Sequence, residues 1–531
     1  MSALRTARRL LSVPDRLLGR VSMYLLTVVS LALIGVVAIV LAALGRLTYE
    51  AGGIALSLVV GVVATLAGTV LGAVLTRSSP HPPSSVITGL ILALVLWPSL
   101  PTGGPWYQED LVVLAVAGLA AGASKYLLAW RGRHVLNPAV AGLLVVGLTG
   151  YGASIWWVGS QALLPVVVVT GLVVLWRTRR LLYAASLVVP AVALTLVGFT
   201  RSGLSLGEAV TIALASSPIL FLAAFMLSEP LTTPPRQWQR VGVGALVGVL
   251  YAVPLFTDLP VLAQLPVAVT PELALAVGNV VAFTFGVRRR VVLRLEATRR
   301  SGTVLDLTFA PSAPLRMRPG QYLEIDVPRA GLTDVRGRRR VLSIASDPAS
   351  DRVRLVTRTA AVAGAEPSPV KAVLAAMRPG EGLTVTSVGG DFVLPDGDRP
   401  LALVGAGIGV TPFLSHLDAI ARGTLPARDV VLVHAVKDPA DVVEVAGGAA
   451  LPDGVRRVLV VPPGAPRGVL PAGWEVVDGE ALTAAVLARA VPDLDRREVL
   501  VSGSPVAVAA ATAAAHERGA RTVRTDVFLG Y

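Results

Sequence analysis

The sequence contains no cysteine among its 531 residues. Disulfides, thiol redox chemistry and cysteine-ligated iron–sulfur clusters are therefore excluded within this chain. Only five histidines are present, and of these only His81 and His134 lie before residue 290. Two bis-histidine haems stacked across a bilayer would need four histidine ligands, so two histidines are too few. We therefore expect no haem, no iron–sulfur cluster and no metal site.

Charged residues are also scarce, at 15% of the chain, while 54% of the residues are hydrophobic and the mean hydropathy is +0.70. This composition indicates membrane spans and a lipid bilayer as a partner. The formal net charge of +13 divides into +11 over residues 1–290 and +2 over residues 291–531. Nucleic-acid binding would require basic residues clustered on a soluble face, so we expect no nucleic-acid partner.

Ten apolar segments divide the first 290 residues, at about 21–44, 52–75, 85–100, 110–130, 135–150, 160–176, 181–200, 206–227, 241–257 and 271–287. They predict an α-helical polytopic membrane domain over 1–290. The segments at 85–100 and 135–150 are short and begin at Pro/Ser-rich or Asn-Pro breaks. Broken segments are tolerated at membrane depth only where they line a protein-enclosed site.

The arginines give this domain an orientation. With the N-terminus inside, sixteen arginines fall in inner segments, and only Arg46 and Arg201 fall in outer loops. This positive-inside bias predicts a multi-pass protein of the cell (plasma) membrane with both termini in the cytoplasm. Ten spans give five per half, which favours an inverted repeat with a central site.

Three stretches of this domain carry a resemblance to a known family. They are Ser84–Leu94 (SSVITGLILAL), Ser124–Tyr126 followed by Gly132–Ala139, and Phe225–Pro234 (FMLSEPLTTP). They resemble the membrane subunits B of sodium-pumping NADH:quinone reductase and D of the Rnf complex. The resemblance implies a ten-helix inverted repeat around flavin. Those subunits attach FMN to a threonine on a long outer loop, but here that loop is only Tyr151–Gly159. We therefore expect a second, non-covalent flavin, FMN or riboflavin.

The candidate residues for this membrane flavin are Thr88, Asn137, Glu229 and Thr232. Each also has a structural interpretation, since Asn137-Pro138 suits a helix start and Glu229 suits a cap or an ion pair. Lys125, near a helix end, is alternatively a snorkelling lysine. Because these residues occur together at broken helices, a site is the favoured interpretation.

After residue 290 the pattern changes to short alternating strands between Gly/Pro/Asp turns, at Thr303–Phe309, Tyr322–Val327, Val341–Ala345 and Val353–Arg358. They predict a small β-barrel domain over 291–397. From Leu401 onward, strands at 401–404, 430–436, 457–461 and 499–502 alternate with helices at 481–490 and 506–518. That order predicts an α/β domain with a doubly wound parallel sheet over 398–531. Residues 437–480 are interpreted as mainly loop.

The first strand of that sheet runs into Gly405-Ala406-Gly407-Ile408-Gly409-Val410-Thr411-Pro412. Glycines at a strand-to-helix turn let backbone N–H groups approach a phosphate at the helix N-terminus. Alone, the turn is equally a tight βα connection. Further motifs surround it, at Arg318–Tyr322 (RPGQY), Arg340–Ser346 (RVLSIAS), Gly389–Phe392 (GGDF), Ser502–Pro505 and Asp526–Tyr531. Together, and in this order, they resemble the ferredoxin–NADP reductase superfamily.

This resemblance implies FAD on the barrel and NAD(P)H on the sheet. The implied FAD contacts are Arg340, Leu342, Ser343, Ser368, Pro369, Val370, Phe528 and Tyr531. The implied NAD(P)H contacts are Gly405, Gly407, Ile408, Gly409, Thr411, Pro412, Lys437, Ser502, Gly503, Ser504 and Pro505. Ser343, beside flavin N5, is a candidate catalytic residue, as are Thr411 and Tyr531.

Two of these positions depart from the family pattern, and one has an alternative interpretation. Leu342 replaces the usual aromatic residue that covers the flavin ring. Ser502 replaces a cysteine near the nicotinamide. Lys437 either meets a 2′-phosphate or is a surface lysine.

The whole pattern predicts a membrane-bound flavin-dependent NAD(P)H oxidoreductase. Electrons would pass from cytoplasmic NAD(P)H through FAD into or across the membrane, to quinone or to an extracytoplasmic redox protein. Two alternatives stay open from the sequence. One is a membrane-anchored reductase of a cytosolic acceptor, and the other is a transporter with a nicotinamide redox-sensing domain.

Overall fold

The computed structural model describes residues 23–76, 80–98, 105–130, 133–150, 152–256, 269–285, 291–327, 339–359, 368–445, 451, 454–465 and 472–528. The chain divides into two compact units. One, here called the membrane unit, covers 21–289, and the other, the C-terminal unit, contains 290–531.

Apolar helices form the membrane unit: α1 Met23–Ala43, α2 Ala51–Leu75, α3 Pro82–Val95, α4 Pro105–Leu127, α5 Pro138–Leu148, α6 Leu164–Thr178, α7 Leu181–Arg201, α8 Leu206–Ala215, α9 Gln237–Ala252 and α10 Pro271–Phe285. After α8 the chain continues through Ile219–Phe221 into a π-helical turn, Leu222–Leu227. Within the described residues, six helical stretches are long and apolar enough to cross a membrane, which indicates a membrane protein. The helices α3, α5, α6 and α10 are apolar but shorter, so the number of spans stays a prediction.

The helices of this unit pack through small residues. Gly118 and Gly122 of α4 bring its backbone against α2, where a Cβ atom at Gly122 would lie 2.5 Å from the Thr69 backbone nitrogen. Close backbone approach of this kind is typical of helix pairs in membranes. The α2–α4 interface has a counterpart five helices later, since α7 packs extensively on α9. The repeat of five helices stays a prediction.

Two of the short helices begin where the sequence pattern breaks. Asn137 caps α5 with Oδ1 accepting the backbone N–H of Ala139 at 2.9 Å, and Pro138 occupies the first turn. The helix-start interpretation of Asn137-Pro138 is therefore confirmed. The helix α3 ends at Val95, whose carbonyl oxygen accepts the backbone N–H groups of Ile155 and Trp156. A non-helical segment thus satisfies the end of a short helix, as burial in protein at membrane depth requires.

The C-terminal unit begins with a six-stranded antiparallel sheet made of β1 Val291–Ser301, β2 Val304–Pro311, β3 Tyr322–Asp326, β4 Arg339–Ser343, β5 Val353–Arg358 and β6 Gly382–Gly389. The strand order is β4-β3-β6-β1-β2-β5. A single bridge between Ile344 and Leu355 links the two edges of the sheet. One helix, α11 Pro369–Ala376, precedes β6. Two of these strands, β1 and β6, were missed from the sequence.

The rest of the unit is a parallel sheet of β7 Leu401–Ala406, β8 Val430–Ala435, β9 Val455–Val461, β10 Glu475–Asp478, β11 Glu498–Gly503 and β12 Val523–Val527, with helices α12 Thr411–Ala421, α13 Ala484–Ala490 and α14 Pro505–Glu517. Its strand order is β10-β9-β8-β7-β11-β12. The chain moves outward from β7 to β10 and then returns to the other side of β7 at β11. The gap between the carboxyl ends of β7 and β11 is therefore the topological switch point, where such sheets bind ligands.

Candidate functional site

The glycine turn occupies this switch point, and the physical reason for having glycine differs from one position of the turn to the next. Gly407 adopts a φ of +54° with nothing within 4 Å of where a Cβ atom would lie. A Cβ atom at Gly405 would lie 2.9 Å from the Val410 Cα atom, so the turn folds closely over β7. The turn leads into α12, where the Thr411 hydroxyl donates to the Ile408 carbonyl oxygen at 3.0 Å. The side of Gly407 that a side chain would fill is left open for a ligand.

The end of β11 forms the opposite wall of the switch point. A Cβ atom at Gly409 would lie 2.5 Å from the Gly503 Cα atom, so the glycine turn and the end of β11 touch through their backbones. Ser502 is fully buried, and its Oγ has no hydrogen-bond partner. Ser504 is exposed and caps α14 by accepting the backbone N–H of Ala507 at 3.4 Å, with Pro505 in the first turn. The structure thus brings the two predicted NAD(P)H segments together.

The final strand continues this wall. Asp526 pairs in register with Ser502, and the Phe528 backbone N–H donates to the Gly503 carbonyl oxygen at 2.8 Å. Phe528 is half-buried at this position. Burial raises the pKa of Asp526 to about 6. The other predicted aromatic residue of the C-terminus, Tyr531, lies outside the described residues.

A histidine that the sequence motifs did not identify underlies the glycine turn. His434 stands beside Gly405 in the register of β8, is fully buried, and has Nε2 3.0 Å from the Gly407 carbonyl oxygen. The sequence did offer a signal, because a single histidine interrupts the apolar strand Val430–Ala435. Lys437, three residues later, is exposed at the same edge of the sheet.

The predicted flavin strand is β4. Arg340 is buried and Ser343 is 9% exposed, while Leu342 between them is half-buried and pairs with Leu323 of β3. The Arg340 guanidinium donates through Nη1 to the Arg339 carbonyl oxygen at 2.7 Å. Ser343 pairs with Tyr322, the last residue of the RPGQY motif. These positions place the predicted FAD residues of β4 on adjacent parts of one strand.

Tyr322 also brings the GGDF motif to this strand. Its ring covers Gly389 and Gly390, where a Cβ atom at Gly389 would lie 2.8 Å from the Tyr322 hydroxyl oxygen. Next to it, the Gln321 amide nitrogen donates to the Gly390 carbonyl oxygen at 2.9 Å. Three separate motifs of the predicted flavin domain therefore meet at β3, β4 and β6.

His416 of α12 joins the flavin motifs to the parallel sheet. A Cβ atom at Gly320 would lie 2.8 Å from His416 Cε1, and the His416 ring packs on Phe413, which in turn packs on Phe392. Neither ring nitrogen makes a hydrogen bond of normal geometry. Burial lowers the pKa of His416 to about 4, although the Pro319 and Phe392 carbonyl groups oppose the shift. The glycine at 320 is needed to admit this ring.

The start of helix α11 carries three of the predicted FAD contacts. Ser368 precedes the helix, Pro369 occupies its first turn and Val370 is buried. The Ser368 Oγ is buried and makes no hydrogen bond, and it does not cap the helix. A buried hydroxyl without a partner costs stability, so its presence at a helix start fits a polar ligand.

In the membrane unit, the residues predicted to hold a second flavin divide into two clusters. Asn137 Nδ2 donates to the Met226 carbonyl oxygen at 3.1 Å, and the Asn137 backbone N–H donates to Asn279 Oδ1 at 2.7 Å. Glu229, three residues after Met226, lies 3.6 Å from His134 Nε2 and accepts the Thr232 hydroxyl at 3.4 Å. These bonds connect α5, α10 and the π-helical turn, and π-helical turns occur frequently at functional sites.

Thr88 belongs to the second cluster. Its hydroxyl donates to the Ser84 carbonyl oxygen at 2.8 Å within α3. Lys125 is 9% exposed, and its ammonium group donates to Ser84 Oγ at 3.2 Å and Ser85 Oγ at 3.1 Å. Lys125 is therefore a buried hydrogen-bond donor and does not extend from the unit as a snorkelling lysine would. Within the described residues, no group of three or more metal-ligating side chains comes together.

Comparison with known proteins gives partial matches. No family model matches the chain. It is 38% identical to an NADPH oxidoreductase from Mycobacterium tuberculosis over 136 residues, which is 25% of this chain and 34% of that protein. It is 33% identical to a flavohemoprotein from Pseudomonas aeruginosa over 159 residues, 29% of this chain and 38% of the relative. The chain therefore spans about a third of the length of these curated relatives. Its C-terminal region resembles the FAD/NAD-binding module of flavohemoproteins and ferredoxin reductases.

Solved structures also match in this region. A ferredoxin NADP+ reductase from Neisseria gonorrhoeae with bound FAD and NADP has a TM-score of 0.36 and 17% identity, and covers 45% of this chain and 98% of its own. The flavohem-like FAD/NAD binding domain of nitric oxide dioxygenase from Vibrio cholerae has a TM-score of 0.38 and 18% identity, with the same two coverages, 45% and 98%.

Proposed function

We propose that the chain is a membrane-bound flavin-dependent NAD(P)H oxidoreductase. The observation that carries the proposal is the switch point of the parallel sheet, where the glycine turn and the end of β11 meet backbone to backbone. Ligands of doubly wound sheets bind at such points. The curated relatives named NADPH oxidoreductase and flavohemoprotein support the same chemistry.

The dinucleotide would lie across this switch point. Gly407 leaves its side open, and the N–H groups at the start of the turn and of α12 favour a pyrophosphate. Gly409, Thr411 and Pro412 shape the turn, and Ser502, Gly503, Ser504 and Pro505 form the facing wall. Lys437, exposed at the same edge, supplies positive charge for the phosphate of the adenosine half.

FAD would lie on β4, where Arg340 supplies a buried positive charge for its phosphate and Ser343 a hydrogen bond near N5. The unpartnered Ser368 hydroxyl, with Pro369 and Val370 at the start of α11, offers a second phosphate contact. Phe528 and Tyr531 would pack against the flavin ring, on which Leu342 leaves one face less covered. When bound, FAD accepts hydride from the nicotinamide and passes electrons on singly.

From FAD, the electrons would enter or cross the membrane. The hydrocarbon core is about 30 Å thick, so crossing it requires a relay. We propose a second, non-covalent flavin, FMN or riboflavin, beside the cluster of Asn137, Glu229 and Thr232, with Thr88 on the neighbouring cluster. The final acceptor would be quinone or an extracytoplasmic redox protein. The proposed topology has both termini in the cytoplasm, in line with the arginine distribution.

The test is a flavin inventory combined with turnover. The purified full chain should contain FAD in equimolar amount with the chain, and a second flavin that acid precipitation releases. It should oxidise NADH or NADPH with ferricyanide as acceptor. Absence of flavin with no NAD(P)H oxidation would overturn the proposal, and FAD alone would overturn the relay.

An experiment with sealed vesicles tests whether electrons cross the bilayer. The protein is reconstituted, NAD(P)H is supplied on the cytoplasmic side, and a membrane-impermeant dye is placed on the opposite side. Reduction of the dye is expected if electrons cross the bilayer. If only a dye on the cytoplasmic side is reduced, the protein is a membrane-anchored reductase of a cytosolic acceptor.

A further inference from the structure

His434 interrupts an otherwise apolar strand at its carboxyl end. On β8, the alternate residues Val430 and Leu432 pack with Phe413 and Leu417 of α12. The period of two places His434 on this same face. It therefore lies on the α12 side of the sheet, beneath the turn that connects β7 to α12. A fully buried imidazole there requires a polar partner.

That partner is the Gly407 carbonyl oxygen, 3.0 Å from Nε2. Because a carbonyl oxygen only accepts hydrogen bonds, Nε2 must carry the proton. Burial lowers the pKa of His434 to about 4, against the opposing effects of the Gly407 carbonyl and of Asp441. At neutral pH the ring is therefore uncharged and is the Nε2–H tautomer.

The bond fixes a peptide unit of the glycine turn. A trans peptide is planar, so its N–H and C=O groups point in opposite directions. If His434 holds the Gly407 carbonyl inward, the Ile408 N–H points outward, away from β8. Gly407 has a φ of +54° and nothing within 4 Å of where a Cβ atom would lie. Packing does not confine the backbone on that side, so without this bond the Gly407 carbonyl could turn readily.

A second layer keeps the imidazole in place. The Trp474 ring lies 6.1 Å from the His434 ring. The Trp474 indole nitrogen donates to Glu444 Oε1 at 2.6 Å, and Arg457 donates to Glu444 Oε2 at 2.9 Å while its guanidinium lies over the indole. Such an arrangement restricts the rotation of both aromatic rings.

We propose that His434 is a positioning residue of the dinucleotide site, which holds the Gly407 carbonyl so that the Ile408 N–H faces the pyrophosphate. This inference rests on the proposed NAD(P)H-binding function. It assigns His434 no contact with the dinucleotide and no part in hydride transfer.

Three substitutions at His434 separate positioning from packing. Glutamine places an amide N–H near the Nε2 position. Asparagine places its amide N–H near the Nδ1 position, where it is too far from Gly407 to form the hydrogen bond. Leucine retains the bulk of the side chain without a donor. Binding of NAD+ and NADP+ to the full-length, detergent-solubilised protein is measured by calorimetry. Turnover of NADH and NADPH with ferricyanide is measured alongside. His416→Leu, which removes the fully buried histidine of α12 itself, is the packing control.

His434→Gln is expected to bind close to wild type. His434→Asn and His434→Leu should raise the Kd and KM about five- to tenfold, as for one lost hydrogen bond, with kcat and flavin content unchanged. His416→Leu should lower the unfolding temperature without changing KM. Equal Kd values for the Gln, Asn and wild-type proteins would overturn the positioning role. If the wild type binds neither nucleotide, the proposed function fails and this inference with it.

Discussion

Gly409 touches Gly503 so closely that a Cβ atom on Gly409 would lie 2.5 Å from the Gly503 Cα atom. This contact joins the two strands that flank the switch point. Because both partners are backbone, neither can move aside without shifting a strand. The contact therefore connects the geometry of the phosphate turn to that of the segment expected to face the nicotinamide.

We predict that Gly409→Ala raises the KM for NAD(P)H roughly ten- to hundredfold, because small displacements at such sites are costly. Gly423→Ala is the control, since Gly423 follows α12 in a left-handed conformation with nothing within 4 Å. The control places an alanine at a positive φ but meets no neighbouring atom, so it should leave KM unchanged. Steady-state kinetics with ferricyanide provide the measurement, and equal KM values in both variants would contradict the prediction.

Leu342→Tyr is expected to tighten FAD binding. Leu342 is half-buried on β4, at the position where the resemblance to ferredoxin–NADP reductases implies an aromatic side chain over the flavin. An added aromatic contact contributes about 0.5–1.5 kcal/mol, or roughly two- to tenfold in Kd. FAD release on dilution, followed by flavin fluorescence, measures the change. Leu342→Met adds no ring and should release FAD at the wild-type rate.

Ser502→Cys should stabilise the C-terminal unit and leave KM unchanged. The Ser502 hydroxyl is buried without a hydrogen-bond partner, and a thiol is less costly to bury. The expected gain is about 1 kcal/mol of unfolding free energy, together with a higher kcat if sulfur near the nicotinamide favours hydride transfer. Thermal unfolding and single-turnover flavin reduction test the two effects separately. A less stable Cys variant would show that the hydroxyl has a partner in solution.

Acid should loosen α12 through His416. Its pKa is about 4 in the folded protein and 6.5 in an unfolded chain. Between these values only the unfolded chain binds the proton, so stability falls as the pH drops, by up to about 1.4 kcal/mol per pH unit. Protonation of His434 lowers the stability in the same way. Asp526, with a pKa raised to about 6, has the opposite effect between pH 3.8 and 6, because there the folded chain binds the proton more tightly than the unfolded chain.

Hydrogen exchange of peptides from α12, corrected for intrinsic rates, tests this pH dependence in the full chain. Protection is expected to decrease from pH 7 to pH 5. In the His416→Gln variant, the protection of these peptides should decrease less between pH 7 and pH 5. If the variant retains the full pH dependence of the wild type, His416 is not its source.

Asn137→Ala is predicted to destabilise the membrane unit. It removes the cap of α5 and leaves the Met226 carbonyl oxygen without its donor, at a cost of about 2–4 kcal/mol. Asn137→Ser keeps a capping oxygen but lacks the amide donor to the Met226 carbonyl oxygen, so it should lie between alanine and wild type. Thermal unfolding in detergent ranks the three. A flavin lost from the Ser variant at unchanged stability would instead identify Asn137 as a flavin ligand.

Local patterns in the sequence were sufficient to predict several features of the fold. The apolar segments predicted helices, Asn137-Pro138 predicted a helix start, and the Leu401–Pro412 stretch predicted a strand, a turn and a helix. Each depends on residues close together in the chain, where periodicity, capping and glycine conformation act directly. Strands β1, β6, β10 and β12 were missed, because their charged and small residues weaken the alternation. Their strand state comes from pairing with neighbouring strands, which for β1 are the adjacent β2 and the distant β6.

The sequence by itself determined that the chain has an apolar helical half and a strand-rich half, and which segments carry the reductase motifs. Only the tertiary structure decided that Gly409 meets Gly503, that His434 holds Gly407, and that His416 fills the space beside Gly320. Each of these contacts joins segments that are distant in sequence. Their existence depends on strand order and close packing, since a buried polar group takes whichever partner the fold brings within reach.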